Sequence, residues 1–157
     1  MEISNQDRAE RSAQAMLAND NATKGLGMVI ESVGAGEAKL CMPVIEIMLN
    51  GHSTCHGGYI FTLADSAFAF ACNSYNQLAV ASSAGIEFIA PAYLGDVLTA
   101  EARVQTQGRR TGLYDVEIIN QDQQRVALFR GRSHRLGKPL FDETTIEPTP
   151  RDINPGT

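Results

Sequence analysis

Asp65 lies eight residues after Gly57, in a segment that opens Leu49-Asn50-Gly51-His52-Ser53-Thr54-Cys55-His56-Gly57-Gly58 and continues Tyr59-Ile60-Phe61-Thr62-Leu63-Ala64-Asp65-Ser66-Ala67-Phe68-Ala69-Phe70-Ala71-Cys72. The first part is polar and glycine-rich. The second is apolar at nearly every position, which predicts a buried helix. An unpaired carboxylate in dry surroundings is costly and raises its pKa rather than stay charged, so Asp65 is the first candidate for catalysis. A helix that starts at Gly57 or Gly58 leaves its first N–H groups without intrahelical acceptors, at the positive end of the dipole. Such donors suit the charge that grows on a carbonyl oxygen under attack, and glycine lets a substrate come close to the backbone. Gly57-Gly58 would equally shape a tight loop-to-helix corner; the pairing with Asp65 favours chemistry.

Asp65 has three readings: nucleophile, general base for water, or a buried aspartate bonded to a neighbouring hydroxyl or amide. The first two require approach to about 3 Å. Eight residues of helix span ~12 Å, and the backward lean of the side chain recovers a few ångströms at most. One chain therefore cannot bring Gly57 and Asp65 to the same carbonyl. Two antiparallel helices from two subunits can, which predicts an obligate two-fold dimer with both sites in its interface.

His52, Cys55 and His56 fall within five residues, but they precede the helix and no acidic third ligand is near, so no metal and no cofactor is expected. His56 is expected to orient the loop or the carbonyl through a hydrogen bond. His52 reads as a polar loop residue. Asn50 could donate to a water, bond to Asp65, or simply make a turn. Cys55 beside a histidine suggests a thiol nucleophile, without a third group to orient it. Cys41 and Cys72 read as core, and His134 as a satisfied surface or core histidine.

The elements that must position these groups follow from periodicity. Residues 5 to about 19 predict a helix packing through Ala9, Ala13, Met16 and Leu17. Residues 28–33 and 37–44, around Gly34-Ala35-Gly36, predict a hairpin. The central helix should end near Asn73-Ser74. After it the period falls to 2, giving strands over 79–90, 96–106, 112–120 and 125–136, with turns at Gly95-Asp96, 108–112 and 120–123. In the last strand Val126, Leu128 and Arg130 should point one way, and Ala127, Phe129 and Gly131 the other. The fold class is α+β: a sheet of about six antiparallel strands wrapped around one long helix, preceded by an N-terminal helix. Residues 1–137 form one domain, and the proline-rich stretch 138–157 is expected to be a frayed tail.

A chain of 157 residues can bury a proper single-domain core. The net charge of −5 argues against general nucleic-acid or membrane-surface binding, which needs a basic face. No apolar run reaches the ~18 residues of a spanning helix, and the polar N-terminal residues lack a signal-peptide core. Three cysteines give no disulfide framework. The expected setting is cytoplasmic and reducing.

Asn50-Gly51-x-x-x-x-His56-Gly57-Gly58 with Asp65, inside this element order, resembles the hotdog-fold acyl-CoA thioesterases, and most closely their PaaI type from bacterial phenylacetate degradation. The likeness continues through Ala71-Cys72-Asn73-Ser74, Val80-Ala81-Ser82, Gly95-Asp96, Thr111-Gly112 and Ala127-Leu128-Phe129-Arg130-Gly131. It implies hydrolysis of aryl-acetyl-CoA thioesters, such as phenylacetyl-CoA and its ring-hydroxylated forms. Asp65 carries over as the catalytic carboxylate, Gly57 as the backbone N–H that polarises the thioester, and Asn50 and His56 as supporting polar residues. Similar proteins are often tetramers, and a homotetramer is expected here.

For the CoA phosphates, Arg109, Arg110, Arg130, Arg132, Arg135 and Lys138 are candidates, since arginine grips phosphate through its fork. Arginines on an edge strand also serve to block aggregation. For the acyl group, Leu49, Tyr59, Phe61 and Phe68 are candidate walls, although aromatics on a buried helix are more often core. Two other readings stand beside hydrolysis: a dehydratase or isomerase using His56 and Asp65 on the acyl chain, and a non-catalytic acyl-CoA-binding module.

Overall fold

The computed structural model describes residues 2–144. Ser4 caps the first helix, α1 (Asn5–Leu17), by accepting the Asp7 N–H at 3.0 Å. Its buried face is Ala9, Ser12, Ala13 and Leu17. The helix ends before residue 19 because Asp20 leaves helical backbone and caps a separate short helix, α2 (Asn21–Gly25), through the Thr23 N–H at 3.0 Å.

Strands β1 (Val29–Gly34) and β2 (Glu37–Pro43) form the expected hairpin. Its turn needs Gly36, whose φ is 73° and where a Cβ would meet the Tyr75 hydroxyl and a Val104 methyl. The chain then passes through a 3-10 turn, Glu46–Met48, and the polar loop into helix α3 (Gly57–Cys72). Four strands follow: β3 (Ala79–Phe88), β4 (Val97–Gln107), β5 (Thr111–Ile119) and β6 (Arg125–Arg135). They complete a six-stranded sheet of order β1-β2-β4-β5-β6-β3, antiparallel at every pairing.

The core lies between α3 and the inner face of this sheet. Alternation places Ala38, Leu40 and Met42 of β2, Leu98, Ala100 and Ala102 of β4, and Tyr114, Val116 and Ile118 of β5 on that face, all buried. Helix α3 answers with Ile60, Leu63, Ala64, Ala67, Phe68, Phe70 and Ala71. Gly131 of β6 has no side chain because the Phe68 ring fills its place, 2.9 Å from where a Cβ would sit. Along β6 the expected alternation holds from Ala127 to Ser133, with Leu128, Arg130 and Arg132 outward. Val126 departs from it. It is fully buried because residues 89 and 90 fold over the strand end and donate their N–H groups to its carbonyl.

Two expectations need correction. Helix α3 is not enclosed on all sides: Gly58, Thr62, Asp65 and Ala69, spaced as one helical face, escape full burial. One sheet can cover a single side of a helix, and this stripe faces away from it. The stretch 138–144 is also no frayed tail. Lys138 O accepts the Leu78 N–H, and the buried Asn76 side chain takes the Leu140 and Phe141 N–H groups at 2.9 and 3.1 Å while donating to the Phe141 carbonyl at 3.0 Å. Glu143 pairs with Arg8 of α1. The rest of the expected tail, 145–157, lies outside the described residues. Among those described, no helix is long and apolar enough to cross a membrane.

Candidate active site

Asn50 builds the loop that delivers the site. Its Oδ1 accepts the His52 N–H at 2.9 Å and the Thr54 N–H at 3.3 Å, while its Nδ2 donates to Thr54 Oγ1 at 3.0 Å. Backbone bonds at each end fix the loop to the body: Cys55 N–H to Ala92 O at 2.8 Å, and His56 N–H to Met48 O at 2.7 Å. Of the three expectations for Asn50, this is the turn-making one, and within one protomer its side chain does not bond to Asp65.

His56 is the N-cap of α3. Its Nδ1 accepts the Gly58 N–H at 2.9 Å, so that nitrogen carries no proton and the neutral ring is protonated on Nε2. The ring also meets Tyr59 edge-on, with centroids 6.3 Å apart. The cap satisfies Gly58 and leaves the Gly57 N–H, at the first helical position, without an acceptor among the described residues. Packing favours glycine at 57 as well: a Cβ there would stand 2.8 Å from Phe88 Cζ.

Asp65 sits on the uncovered stripe of α3, half-buried, with no hydrogen-bond or ion-pair partner among the described residues. Burial raises its pKa above the ordinary carboxylate range. Both Gly57 and Asp65 lie on α3, so the ~12 Å separation along the helix axis stands. Cys55 is buried, and burial, then the charge of Asp96, pushes its thiol up, away from the thiolate a nucleophile requires. Cys72 is pushed up to about 12, chiefly by burial. No three His, Cys, Asp or Glu side chains gather as a metal site among the described residues.

The expected substrate-binding residues are scattered. Phe68, proposed as a pocket wall, is 1% exposed and locked edge-to-face against Tyr114 at 5.6 Å, with Phe129 also beside it. It is core, with no face left for a ligand. Phe61 packs edge-on against Phe129 at 5.3 Å but stays partly open, as do Tyr59 and Leu49. Arg130 points from the outer sheet face and is held bidentate by Asp115 at 2.6 and 2.8 Å, which takes up the fork a phosphate would need. Arg109 and Arg110 occupy the β4–β5 turn with exposed side chains, and with His134 and Arg135 they line a groove of about 370 Å³. Arg135 lies over the Tyr75 ring at 5.3 Å.

Two features escaped the sequence reading. One is Phe88, 55% exposed, whose ring covers Gly57 and borders an apolar groove of about 410 Å³. Its position on β3, 31 residues after Gly57, gave no local signal. The other is the place of β3: the strand itself was expected, but not that it forms the sheet edge and stays exposed along most of its ten residues.

Known proteins share this fold and much of this sequence. The acyl-coenzyme A thioesterase PaaI of Escherichia coli (strain K12) is 52% identical over 136 residues, which cover 87% of this chain and 97% of that one. The family model of the thioesterase superfamily matches residues 52–127, the stretch that holds the end of the loop, α3, β3, β4, β5 and the start of β6. The chain belongs to the thioesterase superfamily. Within it, this thioesterase is of the PaaI type and has the hotdog fold: the structure of the E. coli PaaI protein from the phenylacetic acid degradation operon superposes with a TM-score of 0.85, covering 87% of this chain and 99% of that one. A mutant PaaI from Thermus thermophilus matches at 37% identity and a TM-score of 0.72, over 74% of this chain and 100% of that one. A Streptococcus mutans protein bound to acetyl CoA matches at 31% identity and a TM-score of 0.70, over 72% and 91%. The thioesterase is thus a thioester hydrolase whose sheet and helix are those its sequence resembles.

Proposed function

We propose that this thioesterase hydrolyses aryl-acetyl-CoA, phenylacetyl-CoA and its ring-hydroxylated forms among them, at sites shared between two subunits. The observation that carries this reading is a pair of unpartnered groups on one helix. On α3, the Gly57 N–H stands without an acceptor at the first helical position, and Asp65, without a partner, sits on the face that the sheet leaves open. A second copy packed there in antiparallel fashion brings Gly57 of the partner subunit to Asp65. The long exposed edge of β3 supports the same assembly, since an unpaired edge of that length invites pairing with another strand.

In this arrangement the thioester carbonyl oxygen rests on the Gly57 N–H, where the helix dipole and the free donor meet its growing charge. The Asp65 carboxylate either takes a proton from a water that attacks the carbonyl carbon, or attacks it directly and is released by water in a second step. The C–S bond breaks, the CoA sulfur leaves and acquires a proton, and the acid is the second product. His56 and Asn50 hold the donor in place. Arg109 and Arg110 are the cations proposed for the CoA phosphates, and Arg130 stays with Asp115. Acyl-CoA as the substrate class is supported by the E. coli relative and by acetyl CoA bound to the S. mutans one. We also assign the protein to the reducing cytoplasm, consistent with three cysteines unpaired in the fold, and to a homotetramer built from the dimer.

Free-thiol release from phenylacetyl-CoA, its hydroxylated forms and a straight-chain acyl-CoA tests the reading, with Asp65→Asn alongside. Release on the aryl esters that the variant lacks supports it. An altered acyl chain with CoA retained would transfer the site to dehydratase or isomerase chemistry, and binding without any product would make it a binding module.

A further inference from the structure

We propose that Phe88, seconded by Ile89 and Ile60, is the acyl-side wall of the site and sets its preference for an aryl group; the proposal rests on Gly57 as the group that polarises the carbonyl. Three observations lead to it. The groove of about 410 Å³ beside Gly57 is lined by Cys55, Ile60, Phe88, Ile89, Ala90 and Pro91, an apolar surface around one unpartnered backbone donor. That is the make-up of a small-molecule pocket, apolar walls with a few fixed polar groups. Next, the Phe88 ring stands where a side chain at Gly57 would project: three of its carbons lie 2.8, 3.1 and 3.4 Å from where a Cβ would be. A thioester whose carbonyl oxygen accepts from the Gly57 N–H can turn its acyl substituent onto that ring. Finally, Phe88 and Ile89 are each 55% exposed, adjacent large side chains held open at the mouth of the groove, whereas Phe68 is enclosed by its own chain.

The occupant is the acyl group of the thioester. An aromatic acyl group meets the Phe88 ring in an edge-to-face or offset arrangement and gains beyond area burial alone. A straight-chain group of similar carbon count gains only the burial. Phe88 therefore discriminates between esters rather than serving all alike.

The test is the ratio of kcat/KM for phenylacetyl-CoA to that for octanoyl-CoA, which has the same carbon count, in wild type, Phe88→Ala and Phe88→Leu, with the oligomeric state of each followed by size exclusion. The expected result is a ratio lowered about tenfold in Phe88→Ala, with Phe88→Leu between, and an unchanged oligomer. An unaltered ratio, or dissociation of either variant with both esters lost in parallel, overturns the proposal and makes the ring an interface residue. Should wild type hydrolyse neither ester, the hydrolytic reading fails by itself. The wall is then judged by affinity, comparing the phenethyl thioether of CoA with CoA alone. Loss of the thioether's advantage in Phe88→Ala upholds the wall, and retention of it refutes the wall.

Discussion

At the scale of single residues, Asp65 combines partial burial with the lack of a partner, and the two have opposite consequences for activity and stability. Burial disfavours the charged form, so its pKa in the folded protein lies above the ~3.9 of a free aspartate. In the proposed role the Asp65 carboxylate must be ionised, so kcat/KM should rise with pH through that elevated value, and Asp65→Asn should lower it by about 10²–10⁴-fold. The sign for stability is the reverse. Between the unfolded and folded pKa values the native state holds more protons, so stability falls as pH rises through that window and the penalty is complete above it. Asp65→Asn should abolish this slope and melt higher than wild type at neutral pH, and matched melts at pH 3 and pH 7 check it. An equal response of both proteins to pH would refute the assignment. Asp65 and Gly57 were legible as a pair because a charge in an apolar helix and a glycine at its start are local signals. Phe88 was not, since its role comes from a contact between distant segments.

At the scale of elements, two contacts set how firmly the site is held. Gly131 exists so that β6 can pass the Phe68 ring, and a methyl group there would press on carbons 2.9 Å away in a fully packed layer. Gly131→Ala should destabilise by about 1–3 kcal/mol in urea titration, with thioester turnover falling only as the folded fraction falls. Asn76 ties 140–141 to the body through three hydrogen bonds. Asn76→Ala leaves part-buried backbone groups of 140 and 141 without their partner, so a loss of about 1 kcal/mol is expected, together with faster proteolysis between 138 and 144. A variant as resistant as wild type would show that the strap is held by something else. The strap was not legible because prolines and polar residues signal a tail by composition, while one buried asparagine at the far end of α3 overrides them. The strands, by contrast, came within a few residues of their observed limits. Period-2 alternation survives wherever one face is buried and the other wet, as on β4 and β5.

At the scale of the whole molecule, the proposed division of labour between subunits can be tested by mixing variants. Gly57 is the first residue of α3, a position where proline is tolerated and removes the N–H; the extended backbone of His56, at φ −58° and ψ 131°, already suits a residue before proline. The proline Cβ would press on the end of the exposed Phe88 side chain, which can move aside. Gly57→Pro and Asp65→Asn should each be inactive alone. Unfolded together and refolded as a mixture, they should regain activity, because each mixed dimer keeps one site with both groups intact. The statistical expectation is about a quarter of wild-type activity, as half of the dimers are mixed and each has one of two sites. Refolded mixtures that stay inactive would place Gly57 and Asp65 in the same subunit's site and remove the reason for the dimer.

By itself the sequence determined the period of each element, the buried helix with its one carboxylate, the glycine at its start, and the impossibility of joining the two within one chain. Those follow from rise per residue and from the cost of burying charge, which act locally. Tertiary structure alone decided which face of α3 remains uncovered, that Phe68 is core and Phe88 lies over Gly57, that Asp115 takes Arg130, and that 138–144 returns to Asn76. Each of these depends on which strand lies beside which, and strand order is settled by how the whole sheet closes over one helix.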